Sequence, residues 1–278
     1  MITAVPLTDL NLPEITPYRT LRQSVEHFRE GIVVVEGEKV VRRLVESPLQ
    51  IISLLTTPEW LEIYKPFLQN RDESIIAYHA SKSLLESIVG FHLHQGIMAL
   101  AKIPQLNSLD KFISHASLPY LFVALDGLTN AENVGVVVRN CAAFGVQGII
   151  VGETSSSPYL RRSVRNSMGT VFSMPVYHAL NLIETVYNLR SYYNCSIVAA
   201  HPHGVHSIGE VKFEQNLCII LGSEGEGISP DVLQTCDSTI AIPMLSGVDS
   251  LNVASAAAVF LYEIQRQRQF KFQSNFYE

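Results

Sequence analysis

Three stretches of this chain carry residue types and spacings that could do chemistry: Asn133-x-Gly135-x-x-x-Arg139, Gly222-Ser223-Glu224-Gly225-Glu226-Gly227 and Ser250-Leu251-Asn252. Gly135 and Arg139 lie four residues apart, hence on one helical face, where a glycine leaves room for a ligand beside a fixed cation. Asn133 stands where that helix should begin, so a plain helix cap is the competing reading. The glycine run follows an apolar strand candidate and precedes Ser229 and Pro230, a cap and a first helical position. Its glycines run G-x-x-G-x-G and no G-K-[ST] follows, so neither a dinucleotide fingerprint nor a phosphate loop is present. Glu224 and Glu226 would also repel a pyrophosphate just where backbone N–H groups should receive it. A ligand whose reacting centre is cationic or neutral suits such a loop. In the third stretch, Ile242-Pro243-Met244 and then Ser250-Leu251-Asn252-Val253 open an alanine-rich helix from Ala254 to Val259. Ser250 or Asn252 can cap it and still touch a ligand.

The elements that must position these loops are legible as alternating apolar runs and helical patterns. Strands are predicted at Leu121–Leu125, Gly148–Val151, Ser196–Ala200, Leu217–Leu221 and Thr239–Ile242, nearly continuous apolar runs suited to a parallel sheet covered on both faces. Ligands of such sheets sit beyond the carboxyl ends of the strands, which selects the loops after Leu125, Leu221 and Ile242. Earlier runs at Ile32–Val35, Ile51–Leu55, Ile75–Tyr78 and Gly96–Leu100 alternate with helices starting near Glu38, Pro58 and Ser81, a smaller α/β domain. The expected division is an extension over residues 1–16, a small domain over 17–103, a linker over 104–118 and a second domain over 119–278. Leu109 to Ile113 could form a short helix within the linker.

Composition narrows the class. The 278 residues suffice for two cores, and no run of eighteen apolar residues or basic-then-apolar start suggests a membrane span or signal peptide. A cytoplasmic protein with no membrane association is expected. Cys141, Cys195, Cys218 and Cys236 form no C-x-x-C pair, so neither a disulfide framework nor zinc is expected. A net charge of −6 argues against bulk coating of nucleic acid, but Arg161, Arg162 and Arg165 form a local basic cluster. That cluster is either a solvated face or a phosphate-binding patch. His201-x-His203-x-x-His206 has metal-like spacing, but no Cys, Asp or Glu accompanies it at ligand spacing until Glu210, so it reads as a polar loop. His92 and His94 would share a strand face and read as ordinary core or surface histidines.

In order and spacing the three loops resemble the motifs of the SpoU family of RNA ribose methyltransferases, within the SPOUT group of trefoil-knotted α/β proteins. Arg165-Asn166-Ser167-Met168-Gly169 with Phe172 and Pro175 adds the segment usual between the first and second motifs. The front part is similar to a small ribosomal-protein-like α/β RNA-binding domain, through Val35-Glu36-Gly37 and His94-Gln95-Gly96-Ile97. The resemblance implies a C-terminal knotted parallel-sheet methyltransferase domain using S-adenosylmethionine, with no metal, on the ribose 2′-hydroxyl of RNA. Ribosomal RNA is the expected substrate and transfer RNA the alternative, with a noncatalytic RNA-binding relative as a rival. Gly222, Ile242, Met244 and Leu251 would hold the cofactor. Arg139, Asn133, Glu224, Ser250 and Asn252 would serve the target ribose and phosphate, with Arg161, Arg162 and Arg165 on the RNA. A homodimer whose partner completes the site is also implied.

Overall fold

Apolar runs separated by helical stretches can bury their faces only by layering helices on sheets. The computed structural model describes residues 1–9, 11–90, 92, 95–213 and 215–268. Its first elements are β1 (Ile2–Pro6), α1 (Thr16–Arg19), α2 (Ser24–Arg29), β2 (Ile32–Glu36), α3 (Glu38–Glu46) and β3 (Ile51–Thr56). Then come α4 (Pro58–Gln69), β4 (Ile75–His79), α5 (Lys82–Val89), β5 (Ile97–Lys102), α6 (Leu109–Ile113) and β6 (Leu121–Leu125). Next are α7 (Ala131–Ala143), β7 (Gly148–Val151), α8 (Arg161–Asn166), β8 (Val176–His178), α9 (Leu182–Tyr193) and β9 (Ser196–Ala200). The described chain finishes with β10 (His206–Ser207), β11 (Leu217–Leu221), α10 (Pro230–Gln234), β12 (Ser238–Ala241) and α11 (Val253–Gln267).

Two compact units result. The first joins Met1–Gln105 to the later segment Pro158–Ser173; the second comprises Leu106–Ser157 and the described residues from Met174 onward. Sequence alone put 158–173 in the second domain and 104–118 in a linker. The structure differs on both for one reason, the destination of apolar side chains. Phe112 and Ile113 of α6 are buried in the second unit's core, and Val164, Val171 and Phe172 are buried in the segment that joins the first.

The first unit is a mixed sheet of order β1-β4-β3-β5-β2, with β1, β4 and β3 parallel and β5 antiparallel to both β3 and β2. β1 occupies the stretch expected as an extension. Helix α3 forms because Val40, Val41, Leu44 and Val45 recur on one face and are buried together. Its start joins the two stretches that carried the front-domain resemblance: the Glu38 N–H donates to Gln95 Oε1 at 2.8 Å, and Gly37 adopts φ +88°, a conformation that favours glycine. His94 lies outside the described residues. The buried Tyr18 hydroxyl meets the Ser53 carbonyl at 3.0 Å and the Ser53 hydroxyl at 2.8 Å, and burial pushes its pKa up. Arg161 makes a two-pronged contact with Glu36, at 3.0 and 2.8 Å, and Arg165 reaches the same carboxylate at 3.1 Å. Two of the three arginines expected on RNA are therefore tied to a carboxylate of their own unit.

The second unit is a sheet of order β10-β12-β9-β11-β6-β7-β8, parallel at every pairing. Every residue of β6, β7 and β11 is buried, as expected of strands covered on both sides. Helix α9 and Phe112 cover one face; α7 and α11 pack on each other, tied by Asn140 Nδ2 to the Ala254 carbonyl at 2.7 Å. The α/β class and the parallel sheet agree with the sequence. Because every strand runs the same way, the loops after β6, β9, β11 and β12 emerge at one edge.

Candidate functional site

At that edge lies a cavity of about 330 Å³, within the range of small-molecule sites. Four segments line it: Ala200–His203 after β9, Leu221–Ile228 after β11, Ile242 with Met244 after β12, and Asp249–Leu251 before α11. Val253, Ala256 and Phe260 of α11 complete the wall. All four residues expected to hold a cofactor, Gly222, Ile242, Met244 and Leu251, line this space, and so do Glu224 and Ser250.

The glycine run is a closed turn, not an open cradle. The Ser223 N–H donates to the Gly227 carbonyl at 2.9 Å, the Gly227 N–H returns to Ser223 at 3.1 Å, and the Glu226 N–H donates to Ser223 Oγ at 3.1 Å. Gly222 lies so close beneath the turn that a Cβ there would stand 2.2 Å from the Gly227 carbonyl carbon and 2.3 Å from Ile228 N. Asp126 fixes the exit: its buried carboxylate accepts the Ser229 N–H at 2.7 Å, just before Pro230 starts α10. The backbone N–H and C=O groups of Gly222, Ile242 and Leu251 have no hydrogen-bond partner among the described residues. Main-chain polar groups at a cavity wall in that condition are ready to receive a ligand.

Asn130, not Asn133, caps α7, accepting from the N–H groups of Glu132 and Asn133 at 2.9 and 3.4 Å. Asn133 thereby has its side chain free for another purpose. Its Nδ2 donates to Glu224 Oε1, while its Oδ1 accepts from Asn252 Nδ2 at 3.2 Å. Asn252 in turn caps α11 through Oδ1, accepting from Ala254 N at 2.9 Å. A relay of two amides and a carboxylate thus ties the first loop to the second and third. Ser250 lines the cavity beside this relay.

Arg139 stands on the exposed side of α7, outside the cavity lining, with no hydrogen bond or ion pair to any described residue. Gly135, expected to make room beside it, is buried in the helix and is not among the cavity-lining residues.

Among the described residues no cluster of three His, Cys, Asp or Glu could hold a metal ion, and no helix is long and apolar enough to cross a membrane. The thiols offer no nucleophile. Burial pushes Cys195 and Cys236 up to about 11 and raises Cys141 and Cys218 as well, so each stays protonated near neutrality. What sequence reasoning missed is His201 and His203, assigned to a polar loop yet lining the cavity. The signal was available, since they directly follow β9 at the carboxyl edge of the sheet.

Residues 120–262 match the SpoU rRNA Methylase family. An uncharacterized tRNA/rRNA methyltransferase from Mycobacterium bovis is 31% identical over 242 residues, covering 85% of this chain and 82% of that protein. The crystal structure of the SpoU methyltransferase AviRb from Streptomyces viridochromogenes superposes with a TM-score of 0.78 at 26% identity, covering 92% of this chain and 97% of that one. AviRb in complex with AdoMet superposes at 0.80 with 24% identity, over 93% and 98%. An RNA 2′-O ribose methyltransferase superposes at 0.74 with 25% identity, over 95% and 100%.

Proposed function

The chain belongs to the SpoU rRNA Methylase family, and on that premise we propose that it methylates a ribose 2′-hydroxyl of structured RNA with S-adenosylmethionine. Ribosomal RNA is the preferred substrate and transfer RNA the alternative. The observation that carries the reading is the cavity, where apolar walls, unpaired backbone groups and acidic side chains meet in one small-molecule-sized space. Those features fit the cofactor: Ile242, Met244 and Leu251 suit an adenine, and Glu224, Glu226 and Asp249 suit a cationic centre where they would repel phosphate. When bound, the cofactor supplies an electrophilic methyl group on a sulfonium.

The chain's own residues then have to place the acceptor and neutralise charge. Alignment of the attacking oxygen contributes much of the acceleration in such a displacement. Arg139, a guanidinium with no partner among the described residues, has the right chemistry to clamp the phosphate beside the target ribose and to stabilise the developing oxyanion. One oxygen of Glu224 is held by Asn133, leaving the other to accept the hydrogen of the ribose hydroxyl. Ser250 completes the polar rim. Arg162, which is exposed, and Arg165, largely exposed beyond its contact with Glu36, are assigned to RNA, and Arg161 serves to hold that helix on Glu36. A homodimer and a cytoplasmic location belong to the same reading; exposed Val259 and Tyr262 on α11 offer apolar surface for a second copy.

Substitution of Asn252 separates capping from catalysis. Asn252→Ala should cost about 1 kcal/mol of stability through loss of the cap, whereas Asn252→Asp keeps the cap acceptor and loses the donor to Asn133. The aspartate variant should unfold at the wild-type denaturant midpoint while its turnover falls roughly tenfold, the worth of one hydrogen bond near a charge.

The test of the activity is transfer of radiolabelled methyl from S-adenosylmethionine to total RNA from a strain lacking the gene, followed by nuclease mapping. Label on a 2′-oxygen of ribosomal RNA is the expected result. Label on a base would overturn the ribose assignment, and the absence of any labelled RNA would overturn the enzymatic one.

A further inference from the structure

The charged side chains lining the cavity are Glu224, Glu226 and Asp249; no lysine or arginine lines it, and its remaining ionisable groups are His201 and His203. That asymmetry matters for a cofactor that carries an amino-acid carboxylate as well as two cationic groups. Three acidic side chains favour the cations and disfavour the carboxylate, so the carboxylate must settle where donors stand. Beside the backbone N–H groups of Gly222, Ile242 and Leu251, the wall after β9 supplies imidazole donors. His201 is half-buried, its backbone N–H bound to the Ile240 carbonyl at 3.0 Å. His201 Nδ1 accepts the His203 backbone N–H at 3.1 Å. A backbone N–H can only donate, so Nδ1 is the acceptor and the ring proton sits on Nε2. Nε2 has no hydrogen-bond partner among the described residues. The loop is also held from behind: Gly204 packs against β12 so tightly that a Cβ there would lie 2.5 Å from the Ile240 carbonyl carbon.

We infer that His201 is the residue that receives the carboxylate of the cofactor, with Nε2–H as donor, and that this contact distinguishes the intact cofactor from analogues lacking the acid. The inference rests on the assignment of S-adenosylmethionine to this cavity. The other ionisable groups lining the cavity are Glu224 and Glu226 after β11, Asp249 before α11, and His203 in the same loop, with His206 further along that loop. None but His203 shares the wall with His201 as a possible second donor.

The experiment is calorimetric titration of the whole protein with S-adenosylmethionine and with decarboxylated S-adenosylmethionine, which keeps the sulfonium and the amine. Wild type should bind the intact cofactor more tightly. His201→Ala should lose roughly tenfold in affinity for the intact cofactor, the scale of a hydrogen bond to a charged group, and nothing for the decarboxylated form. His201→Gln, whose amide nitrogen reaches about as far as Nε2, should restore most of the difference, which a merely structural role would not. Equal loss for both ligands, or no loss for either, overturns the inference. Failure of wild type to bind either ligand would instead overturn the assignment of the cofactor itself, and this inference with it.

Discussion

Gly222→Ala should abolish measurable cofactor binding, with a loss of at least a hundredfold in affinity. The added methyl would have to occupy space 2.2 Å from the Gly227 carbonyl carbon, 2.3 Å from Ile228 N and 2.4 Å from the Gly227 carbonyl oxygen. All three are main-chain atoms of the turn itself. No rotamer change can relieve the overlap, so the pair of bonds between Ser223 and Gly227 must open. Overpacking of this kind costs about 1–3 kcal/mol, and here it falls on the segment whose shape defines the cavity. Gly225, at the tip of the same turn, is an internal control: a Cβ there meets nothing within 4 Å. Gly225→Ala should therefore bind S-adenosylhomocysteine as wild type does, and both variants can be measured by calorimetry beside a thermal melt. Wild-type affinity in the Gly222 variant would sink the idea that the closed turn shapes the site.

Arg139→Ala should show the opposite profile, a loss of at least a hundredfold in single-turnover methylation with cofactor affinity kept within about twofold. The size follows from removing a charge-stabilising donor at a reacting centre. The selectivity follows from position, since Arg139 lies outside the cavity lining on an exposed face of α7. Arg139→Lys refines the role: a clamp that depends on a planar fork should recover little, whereas a simple positive charge should recover much. Retention of full activity in Arg139→Ala would remove the residue from the mechanism.

How much of this was legible beforehand depends on whether the deciding interaction was local. Strands such as Leu121–Leu125 and Leu217–Leu221 could be bounded to the residue because they are apolar throughout and end in loop signals. β1 could not, because Ile2–Pro6 exposes most of its side chains and is a strand only by pairing with Ile75–His79 far along the chain. From sequence the cap of α7 is expected at Asn133, and only geometry gives Asn130 the cap and Asn133 the relay. Nothing near Arg161 in sequence discloses Glu36 as its partner. His201 was missed for a different reason. Its loop lacks the glycine-run and asparagine signals of the other three loops, although it follows β9 at the same carboxyl edge where ligands of parallel sheets sit.

The parallel pairing of the second sheet also dictates an order of assembly. β6, the strand that leads into the first loop, has β11 as one neighbour, with Leu121 aligned on Leu217, and β9 is held between β11 and β12. Pairings so distant along the chain are slow, since loop closure precedes any reward. As synthesis proceeds, Asn133 and Arg139 leave the ribosome long before the strands that complete their surroundings. Until β12 has emerged, the nascent second unit exposes unpaired strand edges to its neighbours, the condition under which partly folded chains aggregate.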